Sequence, residues 1–213
     1  MKTIKIITAL IIISFLTTSC LGDRKAVNVS EINDTSSFVN EDFKGNLINF
    51  SKDGSACPNI STADMASMYN VPEDKVKMLD VSKSDRRVPN SNPACQFYLE
   101  LGEKNYESLV GLISMIPDIE KDSNNAELSM YGENWEEIWA LDKSISKSME
   151  WIDDMGRAAY WNESKKDLYV RFKGYTLVIS PPNNTLLNKD EKAKNRDYKS
   201  IAINMAKAAG FVN

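Results

Sequence analysis

Three groups of residues in this 213-residue chain have types and spacings that could do chemistry, and its three cysteines form a fourth. Ser144 and Lys147 match Ser-x-x-Lys, in which a lysine amine takes the proton of a serine nucleophile. Asp118, Glu120, Asp122 and Asn124 alternate oxygen donors as the start of a calcium loop does. Glu133, Glu136 and Glu137, like Asp153 and Asp154, could supply the paired carboxylates of sugar hydrolysis. The sulfurs are Cys20, Cys57 and Cys95. There is no histidine, which removes Ser-His-Asp and Cys-His catalysis and every His-ligated zinc or haem site. Three cysteines cannot complete a four-Cys metal site.

Each catalytic or metal motif lacks the rest of its machinery. Penicillin-recognising serine enzymes also need Ser-Asp-Asn and Lys-Thr-Gly, and neither occurs here. Ser144 and Lys147 therefore read as a solvated helix face. In the calcium-loop register, Ser123 stands where the sharp turn needs Gly, and Ser129 where the last ligand should be Glu. That stretch reads as a polar loop. Carboxylates at a helix start are favoured by its dipole without any catalytic role. The expectation is no enzyme and no cofactor or metal.

The first cysteine has a different context. Lys2 and Lys5 precede an apolar run from Ile6 to Leu16, followed by Thr17, Thr18, Ser19 and Cys20. A run of about 11 residues is roughly half of what a spanning helix needs, so it reads as a secretory signal. The stretch resembles a bacterial lipoprotein signal with its lipobox, although Thr17 stands where that family usually has Leu. The resemblance implies cleavage before Cys20, acylation of Cys20, and stable anchoring by two or three chains. Leu21 rather than Asp after the cysteine favours the outer membrane under the enteric sorting rule.

Residues 1–19 are thus expected to be a signal peptide, and 20–42 a lipidated flexible tether. The tether is rich in Ser, Asn, Asp and Glu and spans roughly 25 Å as a coil. Residues 43–213 are expected to form one domain. The whole chain carries 42% apolar residues, 26% charged residues and a net charge of −4. That composition suits a globular domain. A net acidic chain without a basic run offers phosphate backbones little, so no nucleic acid partner is expected.

The elements that must position any site follow from periodicity. Ser61 and Asp64 form a capping box opening a short helix with Ala63, Met65, Ala66 and Tyr69 on its apolar side, ended by Pro72. Residues 75–82 and 94–102 alternate as strands. Residues 108–117 are an apolar run that Val and Ile tilt towards strand. Asn134 to Met149 reads as a helix with Trp135, Ile138, Trp139, Ile145 and Met149 as a core stripe. A hairpin turns at Lys173-Gly174, with Phe172 facing Tyr175, Val170 facing Leu177 and Leu168 facing Ile179. Arg171, Thr176 and Ser180 point the other way, which predicts a sheet covered on one side only. Tyr198, Ile201, Met205, Ala208 and Val212 recur at helical spacing, with Gly210 as the C-cap. The fold class is α+β: an antiparallel sheet with helices packed on one face and one disulfide.

The disulfide follows from cysteine arithmetic. With Cys20 acylated in an exported chain, Cys57 and Cys95 are left as a pair; the alternative is two separate thiols. Cys57, Ile60, Ser61 and Asp64 at the first helix, Cys95 and Phe97 at a strand, and Gly156, Ala159 and Trp161 before the hairpin form a wider pattern. It resembles a group of small bacterial lipoproteins, mostly of unknown function and best described in actinobacteria. The resemblance implies an α+β domain with one disulfide, some relatives serving as extracellular sensor domains, and no reaction. Gly156 and Ala159 also read as plain packing positions.

The functional expectation is a membrane-anchored binding or sensor module of the bacterial envelope, with an unknown protein or small ligand as partner. An accessory or inhibitory subunit of an envelope complex is the alternative, and a carboxylate-based hydrolase a third. A large apolar cleft would favour a small ligand. An exposed aromatic patch around Trp135, Trp139 or Trp151 would favour a protein partner.

Overall fold

The computed structural model describes residues 38–43, 56–57, 60–81, 93–101, 108–117, 135–183 and 196–211. The chain divides into compact units at residues 1–34 and 35–213, and every described residue lies in the second. The leader, Cys20, the loop Asp118 to Asn124, Glu133, Asn134 and Val212 lie outside the described residues.

Helix α1, Thr62–Tyr69, begins at the expected capping box. The Ser61 side chain accepts from the Asp64 amide at 3.0 Å, and the Asp64 carboxylate accepts from the Ser61 amide at 2.9 Å. It ends one step earlier than Pro72 would require. Asn70 adopts the left-handed conformation at φ 52°, and the Val71 amide donates back to the Ala66 carbonyl. A single 3₁₀ turn, Glu73–Lys75, then leads into the sheet.

The strands are β1 (Val76–Asp80), β2 (Ala94–Glu100), β3 (Ser108–Pro117), β4 (Met149–Trp151), β5 (Ala158–Asn162), β6 (Asp167–Arg171) and β7 (Tyr175–Asn183). They form one sheet in the order β1-β2-β3-β7-β6-β5-β4, with every neighbouring pair antiparallel. The β6–β7 hairpin has the register read from the sequence: Leu168 opposes Ile179 and Val170 opposes Leu177. The Phe172 amide donates to the Tyr175 carbonyl at 3.0 Å, and Gly174 supplies φ 87° at the turn.

The main core lies on one face of this sheet. Phe97 and Leu99, Ile113 and Met115, Leu177 and Ile179, Leu168 and Val170, and Ala159 and Trp161 alternate onto it. Helix α1 covers it with Met65, Ala66 and Tyr69; helix α3, Tyr198–Ala208, adds Tyr198, Ile201, Ala202, Met205 and Ala206. The Gly210 amide donates to Lys207 at φ 71°, and Phe211 folds back to Ala206, so Gly210 ends α3 as expected. Cys57 and Cys95 are disulfide-bonded, joining the entry of α1 to a fully buried position on β2. The protein is therefore α+β, an antiparallel sheet with α1 and α3 on one face and one disulfide.

Four features differ from the sequence reading. Ala63, expected on the apolar side of α1, is exposed. Helix α2, Trp135–Ile145, stops four residues before Met149, which instead begins β4. Ile145 is 69% exposed and leaves the core stripe. Finally, α2 adds a second, smaller layer against the other face of β4 to β6, so the sheet is not covered on one side only. The reason is in β5, where all five residues are buried and both faces therefore need cover.

Candidate functional site

The second face of the sheet carries the least conventional chemistry. β5 directs Ala159 and Trp161 into the main core, and Ala158 and Tyr160 to the other side. β6 does the same with Leu168 and Val170 against Tyr169 and Arg171. Helix α2 lays Trp139 edge-on to the Tyr160 ring, with centroids 4.8 Å apart, and Trp135 edge-on to Trp139 at 5.2 Å. Trp151 from β4 also meets Tyr160 edge-on. Tyr160 and Tyr169, directly opposed across β5 and β6, stack at 4.5 Å.

The aromatic cluster is thus mostly filled from within. Trp139 is buried, while Trp135 and Trp151 are half-buried. The outer ring of Trp151 is covered by Phe38, stacked at 4.1 Å with 2° between the planes. Phe38 also meets Trp135 edge-on. The Asn40 amide donates to the Arg157 carbonyl, and Phe43 packs on Phe172. Residues 38–42, read from composition as the end of the tether, are therefore seated on the domain, and the boundary at 43 moves back to Phe38 at the latest.

Two guanidinium groups flank the cluster. Arg157 and Arg171 lie over the Trp135 ring at 5.5 and 5.0 Å. Arg171 also donates to Thr176 Oγ1, and Arg157 pairs with Glu136 at 3.6 Å. Burial first, then the neighbouring Tyr169, pushes the Tyr160 hydroxyl far above its ordinary range. Burial and the Asp167 charge push Tyr169 up to about 12. Both are neutral hydrogen-bonding groups near neutral pH, not bases. Partial burial also raises the Asp142 carboxyl, against the attraction of Lys165. Asp167 accepts from Ser180 Oγ at 2.5 Å.

Beyond Tyr169 the same face continues over β7, β3, β2 and β1. Leu79, Gln96 and Leu112 share one row across it. Tyr98 and Val110 share the next. Leu79 is 50% exposed and Ile116 is 42% exposed; on β3 the half-buried Leu112 and Ser114 lead from the Leu79 row to Ile116, while the half-buried Tyr98 and Val110 lie on the far side of that row.

The catalytic motifs are not assembled. Ser144 Oγ donates to the Leu141 carbonyl at 2.7 Å, while Lys147 lies past the helix end in the turn to β4. Glu136 is engaged by Arg157, Glu137 is exposed, and Asp153 and Asp154 are exposed in the β4–β5 turn. A cleft of ≈ 520 Å³ lies where β4 meets the start of α3, lined by Lys147, Glu150, Trp161, Glu163 and Lys199 among others. Two pairs of its polar groups are engaged with each other: Lys199 with Glu150 at 2.6 Å, and Trp161 Nε1–H with Glu163 at 2.7 Å. Among the described residues, no three Asp, Glu or Cys converge to hold a metal. Also among them, no helix is long and apolar enough to cross a membrane.

Composition could not reveal Phe38, because an aromatic residue inside a polar stretch carries no periodicity. Tyr160 had a usable signal: Ala158 to Trp161 is apolar at four consecutive positions, the pattern of a strand buried on both faces. Gly156, Ala159 and Trp161 are fixed by packing. Ala159 and Trp161 lie in the main core, and a Cβ on Gly156 would come within 2.5 Å of the Arg171 carbonyl. In comparisons with protein families, curated proteins and solved structures, none matches this chain.

Proposed function

We propose that the chain is an envelope-tethered binding module, anchored by lipid at Cys20, whose second sheet face receives a partner. The observation that carries the reading is Leu79 and Ile116, two large apolar side chains left 50% and 42% exposed on one face. The half-buried Tyr98, Val110 and Leu112 share that face with them, with Gln96 and Ser114 interspersed, and large apolar side chains left exposed on one face are a mark of an interaction site. Apolar side chains exposed on a sheet face suit a protein as the occupant. The anchor rests on the lipobox-like stretch before Cys20, and the sensor-type role on the resemblance to small bacterial lipoproteins.

Two variants test the two parts. Cys20→Ser is expected to abolish metabolic labelling with palmitate; retained labelling removes the anchor from the reading. Leu79→Asp with Ile116→Asp is expected to abolish crosslinking to a partner that the parent chain captures reproducibly from intact cells. Equal capture by both chains removes the sheet face.

A further inference from the structure

The groove between Trp135 and Trp151 is filled by a residue that the rest of the fold does not require. Phe38 belongs to a segment that precedes every described strand and helix, and its ring touches the smaller aromatic cluster rather than the main core. Three contacts hold the segment over the groove. The ring stacks on Trp151 at 4.1 Å and meets Trp135 edge-on. Two residues on, the Asn40 amide donates to the Arg157 carbonyl at 2.6 Å. Three residues on, the Glu41 carboxylate lies 4.0 Å from the Arg157 guanidinium. Glu41 is mostly exposed, and Glu136 competes for the same guanidinium at 3.6 Å.

These contacts define a recognition element: a ring, a main-chain donor two residues on, and a carboxylate three residues on. Phe43 ties the end of the segment to the buried Phe172, so the part able to open is Phe38 to Glu41, whose contacts are on the surface and of the kind that release without unfolding the rest of a domain. We propose that this groove is a recognition site for an extended protein segment carrying Phe followed three residues later by an acidic side chain, and that Phe38 to Glu41 occupies it in cis as a built-in competitor. A partner segment of the same chemistry binds once Phe38 leaves. Its apparent affinity is reduced by the fraction of molecules in which Phe38 is seated. The aromatic ring supplies most of the contact area, and the carboxylate selects direction along the groove.

The proposal rests on reading the second face as a binding surface, but its contacts are separate from Leu79 and Ile116. The two can therefore fail independently. The probe is the peptide SSFVNEDF, which repeats residues 36–43, added to the full-length chain in detergent micelles. With Phe38→Ala, the peptide is expected to shift the indole resonances of Trp135 and Trp151, at least about 10-fold more tightly than with the parent chain. A control peptide with Ala in place of Phe38's counterpart is expected to shift neither. No shift in the variant, or equal affinity for variant and parent, overturns the proposal. A second measurement needs no variant: amide exchange in the parent chain. The Asn40 amide is expected to exchange at least about 10-fold faster than the Leu177 amide of the core. Equal protection would make the segment part of the cooperative fold and overturn the competitor.

Discussion

Gly111 on β3 lies directly against Pro182 on β7, so close that a Cβ on Gly111 would fall 2.3 Å from Pro182 Cδ and 2.6 Å from the Ser180 carbonyl oxygen. The contact accompanies a bulge. Between Val110 and Leu112 the β3–β7 register jumps from Asn183 to Ser180, leaving Pro181 and Pro182 as the irregular residues of β7. Proline is tolerated inside a sheet at such a bulge, and the missing side chain of Gly111 makes room for its ring. Gly111→Ala is expected to cost about 2 kcal/mol or more, because backbone and a rigid ring must both move. Gly174→Ala, at φ 87° with open space around it, is expected to cost about 1 kcal/mol through backbone strain alone. Urea denaturation of both variants checks the order; a smaller cost for Gly111→Ala would show that the β3–β7 contact is looser than described.

That pair also marks where the sequence stopped being legible. Local rules sufficed for the hairpin: Lys173-Gly174 set the turn, and alternation set which side Leu168 and Ile179 share. They sufficed for the Ser61–Asp64 box and for Gly210, since each depends on residues within four positions. Pro181-Pro182 reads locally as a strand terminator, and only Gly111, some seventy residues earlier, shows that the strand continues through it. The second layer failed for a similar reason. Trp139 and Tyr160 were each legible as apolar, but which face of which strand they share is settled by sheet order. Phe38 is the extreme case, a single ring whose partners Trp135 and Trp151 are about a hundred residues away.

The disulfide and the capping box secure the same helix entry by different means. The Cys57–Cys95 bond ties residues 38 positions apart and acts mainly on the unfolded chain; its loss is expected to cost about 4 kcal/mol in the chain-entropy account. Ser61→Ala removes the acceptor for the Asp64 amide and is expected to cost about 1 kcal/mol. Denaturation of the double Cys57→Ser, Cys95→Ser variant beside Ser61→Ala tests the ranking. Equal costs would mean that the reduced chain retains the loop's compactness.

Alkaline pH should loosen the fold through its tyrosines. Burial raises Tyr175 to about 12, and burial with the Asp167 charge raises Tyr169 to about 12. In the unfolded chain both lose their protons near pH 10. The folded state therefore holds more protons between about pH 10 and 12, and the stability these groups contribute is full below pH 10 and falls as pH rises through that window. Tyrosinate absorbance is expected to rise first from exposed tyrosines, with a further rise accompanying loss of tertiary signal. A single titration near pH 10 that leaves the fold intact would contradict the burial of both hydroxyls.

The second layer itself can be tested with two residues that a helical stripe treats alike. Trp139 and Ile145 lie six positions apart and both read from the sequence as core. In the structure Trp139 is buried edge-on against Tyr160, whereas Ile145 ends α2 in solvent. Trp139→Ala removes the buried ring that α2 lays edge-on against Tyr160 and is expected to cost about 3–5 kcal/mol. Ile145→Ala removes exposed atoms and is expected to stay within about 0.5 kcal/mol of the parent. The contrast is informative because helix propensity changes little between the two sites, so a large difference must come from what α2 rests on. If instead both variants lose stability equally, α2 extends its apolar face past residue 145 and the packing against Tyr160 is not what holds it.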